Sequence, residues 1–214
     1  MKIDPQNDVL GLIDIQPTFM PEGELPVVAG DAIIPVVNRL LQRFDHAFAT
    51  QDWHPAGHAS FASAHPGRQP YDTIEMPYGS QILWPDHGIA ATANAAIHPA
   101  IEQARIEAII RKGFRPALDS YSAFFENDKQ TPTGLEAWLR QRGFSRIFLC
   151  GLATDFCVAW SAEDAARLGF TVLVIEDACR GIGIPIPDGR TTIEAARDKL
   201  TAMGVRFIES AEVL

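Results

Sequence analysis

The residues best suited to chemistry stand just after short apolar runs. Cys157 lies in Gly-Leu-Ala-Thr-Asp-Phe-Cys-Val (151–158), between such a run and a helix-period segment that Thr154 is expected to cap. In a first helical turn the unpaired N–H groups and the helix dipole favour a thiolate. The same turn can aim the N–H groups of Ala153 and Cys157 at an oxyanion. The alternative for Cys157 is a buried, inert thiol packed against a sheet, since free cysteine is among the most buried residue types. Asp14 ends the apolar run Leu-Ile-Asp-Ile-Gln. There a carboxylate must be paired, metal-bound or shifted in pKa, unless it is only a turn residue. Lys112 ends Ala-Ile-Ile-Arg-Lys; alone it reads as a solvated edge residue, and beside Asp14 and Cys157 it would lower the pKa of the thiol. The trio suits attack by sulfur on an acyl carbon with acid–base help.

A second cluster is Asp52-Trp53-His54-Pro55-Ala56-Gly57-His58. Asp52 and His54, two apart on an extended chain, project to one side and can reach one ion. His87, in Trp84-Pro85-Asp86-His87-Gly88, adds a third donor. Two imidazoles and a carboxylate with open positions suit one divalent ion, Zn, Fe or Mn, the other reading being an unligated surface loop. His58 is either a fourth ligand or a group behind the ligands, and His46, His65 and His98 have no partners in sequence. Phe19, Trp53, Trp84 and Tyr121 flank the two clusters. Aromatics pack in cores by default, but several around one cleft make a slot for a flat ring.

These positions need elements to hold them. Val9–Ile15, His46–Gln51, Ala108–Arg111, Arg146–Cys150, Thr171–Ile175 and Val205–Ile208 are short, nearly continuous apolar runs, as expected of strands buried on both faces. Helical periodicity fills Asp31–Phe44 with Asp31 as N-cap, Gly134–Arg142, Asp155–Leu168 and Arg190–Met203, the last three closed by Gly143, Gly169 and Gly204. Strand–helix alternation of this kind predicts an α/β sandwich around a mainly parallel sheet, whose ligands sit beyond the carboxyl ends of the strands. Asp14, Asp52, Lys112 and Gly151–Cys157 all follow strands. Pro55–Ala100 is long, weakly periodic and rich in Pro, His and aromatics, so it is expected to serve the site. There is no GxGxxG or Walker loop to cradle phosphates.

The chain has 214 residues, 47% hydrophobic and 21% charged, which predicts one domain over 1–214 with a sizeable core. Lys and Arg number 18 against 27 Asp and Glu, a net charge of −9 with no footprint for nucleic acid or an anionic membrane. No apolar stretch approaches the ~20 residues of a membrane span. Acidic residues interrupt the first 16 positions where a signal peptide would be apolar, and the 3 cysteines do not make a disulfide framework. A cytoplasmic protein is expected. A homo-oligomer is left open.

The six motifs taken together are more specific than any one. Asp14 with Phe19; Gln51-Asp52-Trp53-His54-Pro55 with His58 and Ser60-Phe61; Trp84-Pro85-Asp86-His87; Arg111-Lys112-Gly113; Asp119-Ser120-Tyr121-Ser122-Ala123-Phe124; and Gly151–Val158 occur in the order that resembles the nicotinamidase branch of the isochorismatase-like cysteine hydrolases. The resemblance implies a doubly wound, Rossmann-like three-layer sandwich with a mainly parallel six-stranded sheet, and deamidation of nicotinamide through a thioester, with pyrazinamide as a second substrate and a place in NAD salvage. It implies Asp14, Lys112 and Cys157 as the catalytic triad and Asp52, His54 and His87 as metal ligands. Phe19, Trp84 and Tyr121 would line the substrate slot, the metal would hold the pyridine nitrogen and water, and the Ala153 and Cys157 amides would form the oxyanion hole behind a cis peptide before Ala153. Pro17-Thr18 departs from the Asn-Asp common in the family. The main alternative is a relative acting on an N-carbamoyl, ureido or other small amide, which would keep the triad but usually lack the metal cluster. A silent binding protein on the same fold would have neither a reactive thiol nor bound metal.

Overall fold

The computed structural model describes residues 1–214. A six-stranded parallel sheet runs in the order β5-β2-β1-β6-β7-β8, formed by β1 (Asp8–Ile13), β2 (Ala47–Asp52), β5 (Ala108–Lys112), β6 (Arg146–Leu152), β7 (Thr171–Arg180) and β8 (Arg206–Ile208). Every residue of β1 and β2 is buried, as is all of β6 after Arg146, so their near-continuous apolar runs follow from helices on both faces. The helices are α1 (Ile34–Arg43), α2 (Leu135–Gln141), α3 (Ala159–Arg167) and α4 (Thr192–Ala202).

From β1 the chain winds outward through β2 to β5, then returns to β6 and winds the other way through β7 to β8. Right-handed crossovers in opposite directions put α1 on one face and α3 with α4 on the other. The doubly wound sandwich expected above is the observed fold, and its winding reverses between β1 and β6. The carboxyl ends flanking that reversal carry Asp14 and Gly151–Cys157.

Four boundaries differ from expectation. Asp31 caps nothing: Gly30–Ile33 is a 3₁₀ turn and α1 begins at Ile34. Pro35 has no N–H to give and is confined to the first turn, which fixes the start of α1. Thr154 is not an N-cap either, because Thr154–Val158 form a π turn flanked by Ala153 before α3 begins. The α4 helix starts two residues later than expected, where Thr191 and Glu194 form a reciprocal capping box. The β7 strand runs on to Arg180 through a register shift opposite Leu149–Gly151. Within Pro55–Ala100 lies an antiparallel hairpin, β3 (Thr73–Met76) and β4 (Gly79–Ile82). No helix is long and apolar enough to cross a membrane.

Candidate active site

Parallel register sets Asp52 opposite Lys112, at the ends of β2 and β5. Asp14 follows the neighbouring β1 with φ 47°, a left-handed conformation in which Asp is enriched among non-glycine residues. The Thr50 hydroxyl accepts from Asp14 N–H at 3.0 Å and donates to Asp14 Oδ1 at 2.6 Å. Lys112 is fully buried. Its Nζ pairs with Asp14 Oδ2 at 2.8 Å and with Asp52 Oδ1, donates to Ser120 O at 3.0 Å, and lies 3.4 Å from Cys157 Sγ. Carboxylate oxygens of Asp14 and Asp52 and the Cys157 sulfur fall within 4.8 Å of one another. The three residues expected to act together are therefore in contact around one ammonium.

The charges follow from that geometry. Burial pushes the Cys157 thiol well above its ordinary value, and the Asp14 and Asp52 carboxylates push the same way. Only Lys112 pulls it down. A resting thiolate, expected from a helix terminus and a nearby ammonium, is thus not what the structure favours. Burial would depress Lys112, but Asp14 and Asp52 lift its ammonium well above the usual range. Burial raises Asp14 against the pull of Lys112, whereas Asp52, with both Lys112 and His87 beside it, is held well below an ordinary carboxylate. One ammonium cannot fully satisfy two buried carboxylates, and Asp14 is the one left ready to take a proton.

Asp52, His54 and His87 also present ligand atoms within 4.8 Å of one another, and all three are buried. His54 Nε2 lies 3.1 Å from Asp119 Oδ1, while its buried Nδ1 has no partner in the protein. His87 Nδ1 is 2.8 Å from Pro85 O, and its Nε2 is 3.5 Å from Asp52 Oδ2. Each imidazole is oriented through one nitrogen and offers the other, the arrangement typical of metal-ligating histidines. This donor set fits a divalent first-row cation. His58 uses both nitrogens within the protein: Nδ1 accepts from Ser60 N–H at 3.1 Å and Nε2 lies 2.8 Å from Arg115 O. It braces the loop behind His54. His46, His65 and His98 pair instead with Glu107, Ala59 O and Ala100 N–H.

A small pocket opens onto Cys157, lined by Phe19, Trp84, Tyr121, Phe156, Asp52 and His87 among others. Trp84 and Phe156 meet edge to face at 4.9 Å, and Tyr121 lies 5.7 Å from Phe156. Trp53 is not part of this slot and carries the Arg111 guanidinium 3.8 Å above its ring. Gln81 of β4 donates to Tyr121 Oη and to Asp119 Oδ2, both at 2.9 Å, tying the aromatic wall to the residue behind His54. Gln16 brackets Asp52, accepting from its N–H at 2.8 Å and donating to its carbonyl at 3.0 Å. Thr18, at the departure from the family pattern, accepts the Gly88 N–H at 3.0 Å next to His87.

The Leu152–Ala153 peptide is cis. The Ala153 carbonyl accepts from Phe156 N–H and Val158 N–H at 3.1 Å each, passing over Cys157 N–H, and Ala153 N–H has no acceptor in the chain. Phe156, Asp119 and Gln81 went unremarked individually in the sequence. Phe156 and Asp119 sit inside quoted motifs, whereas Gln81 lies in the hairpin and carried no signal of its own.

The family model described as Isochorismatase domain matches residues 8–211. A nicotinamidase from Acinetobacter baylyi is 46% identical over 97% of this chain and 95% of its own. Among solved structures, a nicotinamidase/pyrazinamidase from Acinetobacter baumanii superposes with a TM-score of 0.94 at 48% identity, covering 99% of this chain and all 100% of that one. A protein from L. infantum solved in complex with nicotinate gives 0.86 at 34% identity over 100% and 98% of the two chains. A pyrazinamidase from Pyrococcus horikoshii solved with zinc gives 0.74 at 32% over 95% and 99%. Agreement over nearly the whole length, in sequence and in backbone, means that the chain belongs to the isochorismatase family.

Proposed function

We propose that this chain is a nicotinamidase, hydrolysing nicotinamide to nicotinate and ammonia, with pyrazinamide accepted in the same slot. The observation that carries the reading is the placement of Cys157 in an aromatic-walled cavity that Asp52 and His87 also line. The full-length similarity to nicotinamidases and the nicotinate-bound relative support the same substrate.

Asp14 takes the Cys157 S–H proton as sulfur attacks the amide carbon, which suits a thiol that burial keeps protonated until substrate arrives. Lys112 stays charged and balances the negative charge that moves between Asp14 and sulfur. Ala153 and Cys157 N–H groups receive the oxyanion. Asp14 returns the proton to the amide nitrogen, the C–N bond breaks and ammonia leaves a thioester. Asp14 then takes a proton from water, whose oxygen attacks the thioester carbon. The C–S bond breaks and the acid is released as the thiol is restored. Phe19, Trp84 and Tyr121 hold the pyridine ring. Asp52, His54 and His87 would hold one divalent ion, Zn, Fe or Mn, which when bound supplies a Lewis-acid anchor for the ring nitrogen and for water. An acidic chain with free cysteines suits a reducing compartment, and the cytoplasm with a role in NAD salvage is the proposed setting.

The test is ammonia release from nicotinamide by metal-replete protein, beside Cys157→Ala and a chelated sample. Release requiring both thiol and metal is expected. A folded, metal-loaded protein that releases nothing from nicotinamide but acts on N-carbamoyl or ureido compounds would overturn the assignment.

A further inference from the structure

Two aliphatic side chains that line the slot, Leu25 and Ile182, have no part in these roles. Ile182 lines the slot from a segment that leaves β7 after Arg180 and passes to α4. Asp155, in the π turn two residues before Cys157, grips that segment. Its Oδ1 accepts from Ile182 N–H at 3.0 Å and its Oδ2 from Gly183 N–H at 2.9 Å. The Thr192 hydroxyl donates to Asp155 Oδ2 and accepts from Ile184 N–H at 2.9 Å, while Thr192 N–H donates to Ile184 O, also at 2.9 Å. Asp155 is buried and its carboxylate forms no ion pair, so these backbone and hydroxyl donors are what offset its desolvation. Gly181 allows the close approach: a Cβ there would lie 2.7 Å from Ile193 Cδ1 and 2.9 Å from Asp155 Oδ1. Ile182 is therefore held by the backbone hydrogen bonds of its segment and by packing of its half-buried side chain against the core, and it lines the slot from that fixed position.

We infer that Ile182 determines which ring substituents the slot admits, with Asp155 and Thr192 as positioning residues that hold its strap in place. The inference rests on the pyridine-carboxamide reading above. An apolar wall discriminates by bulk, and one methylene more or less in such a wall changes kcat/KM by about 10- to 200-fold. Because the strap and Cys157 hang from the same π turn, the wall keeps its distance from the nucleophile.

The experiment compares kcat and KM for nicotinamide and for nicotinamides carrying methyl or ethyl groups on ring carbons, using metal-replete wild type, Ile182→Ala, Ile182→Phe and Thr192→Val. For at least one ring position, Ile182→Ala should raise the substituted-to-unsubstituted ratio of kcat/KM by about tenfold, and Ile182→Phe should lower it as much. Thr192→Val should raise KM for nicotinamide several-fold with a smaller change in kcat, and should flatten the discrimination while Cys157 alkylation by iodoacetamide keeps its rate. Ratios within about twofold of wild type in both Ile182 variants would overturn the inference, since a wall contact cannot lose or gain that much bulk silently. If the wild type is active, that result leaves the nicotinamidase reading standing. A wild type inactive on nicotinamide takes both down.

Discussion

Lys112 reaches Asp14 at 2.8 Å although their strands, β5 and β1, are separated in the sheet by β2. Its ammonium bridges the end of the intervening strand, where Asp52 also binds it. One buried cation thus holds two carboxylates whose roles differ. Removing it leaves the buried Asp14 carboxylate without a counter-charge and takes one of its partners from Asp52. Lys112→Met should cost about 3–5 kcal/mol of stability in urea denaturation at neutral pH, besides abolishing turnover. Adding Asp14→Asn should restore part of that loss. A change below about 1 kcal/mol would mean that the ammonium does not carry the site's charge balance.

Asp14 must be ionised to accept the thiol proton. Burial raises its pKa, so its protonated, inactive form persists to higher pH than for a free carboxylate. Lys112, Asp52 and Cys157 face it, and of these Lys112 alone opposes the shift. Activity should accordingly fall as pH decreases, with the acid limb of kcat/KM above the ordinary carboxylate value of about 3.9. A pH profile flat down to that value would contradict the assignment of Asp14 as base.

Gly113 follows Lys112 with φ +66°, and a Cβ there would lie 2.7 Å from His54 Nε2. Gly113→Ala combines backbone strain with a push on a metal-ligand candidate. It should weaken metal binding about 10- to 100-fold, the range seen when outer support of a ligand is lost. Titration of the metal-free protein with Zn²⁺ reads this directly, and unchanged affinity would argue against His54 as a ligand.

Metal should also stabilise the folded chain. Chelation is expected to lower Tm, and re-addition of a divalent ion to restore it at about one equivalent. His54→Ala and His87→Ala should lose that stoichiometric binding, while His58→Asn should keep it because both His58 nitrogens are already engaged. Loss of metal in His58→Asn, with binding retained in His87→Ala, would reverse the proposed ligand set.

The sheet was legible because strands covered on both faces, such as β1, must be apolar throughout. The β3–β4 hairpin was not, since its four-residue strands are half exposed and bury little. Asp14, Lys112 and Cys157 could be read from strand ends and motif order. The protonation state of Cys157 could not, because it depends on how completely the fold buries that sulfur and how Asp14, Asp52 and Lys112 balance around it. Ile182 was likewise hidden, because its place in the slot depends on the Asp155 and Thr192 bonds to its segment and on packing against the core. The start of α4 was misplaced by two residues because periodicity alone gave Arg190, whereas the Thr191–Glu194 capping box sets the boundary at Thr192.

The most direct measurement is intact-protein mass after rapid acid quench of metal-replete enzyme mixed with excess nicotinamide. A fraction of the chain should be heavier by one nicotinoyl group, located on Cys157 by peptide mapping and absent in Cys157→Ala. Repeated quenches during steady turnover of nicotinamide that show no adduct, together with ammonia release by Cys157→Ala, would contradict Cys157 as the nucleophile.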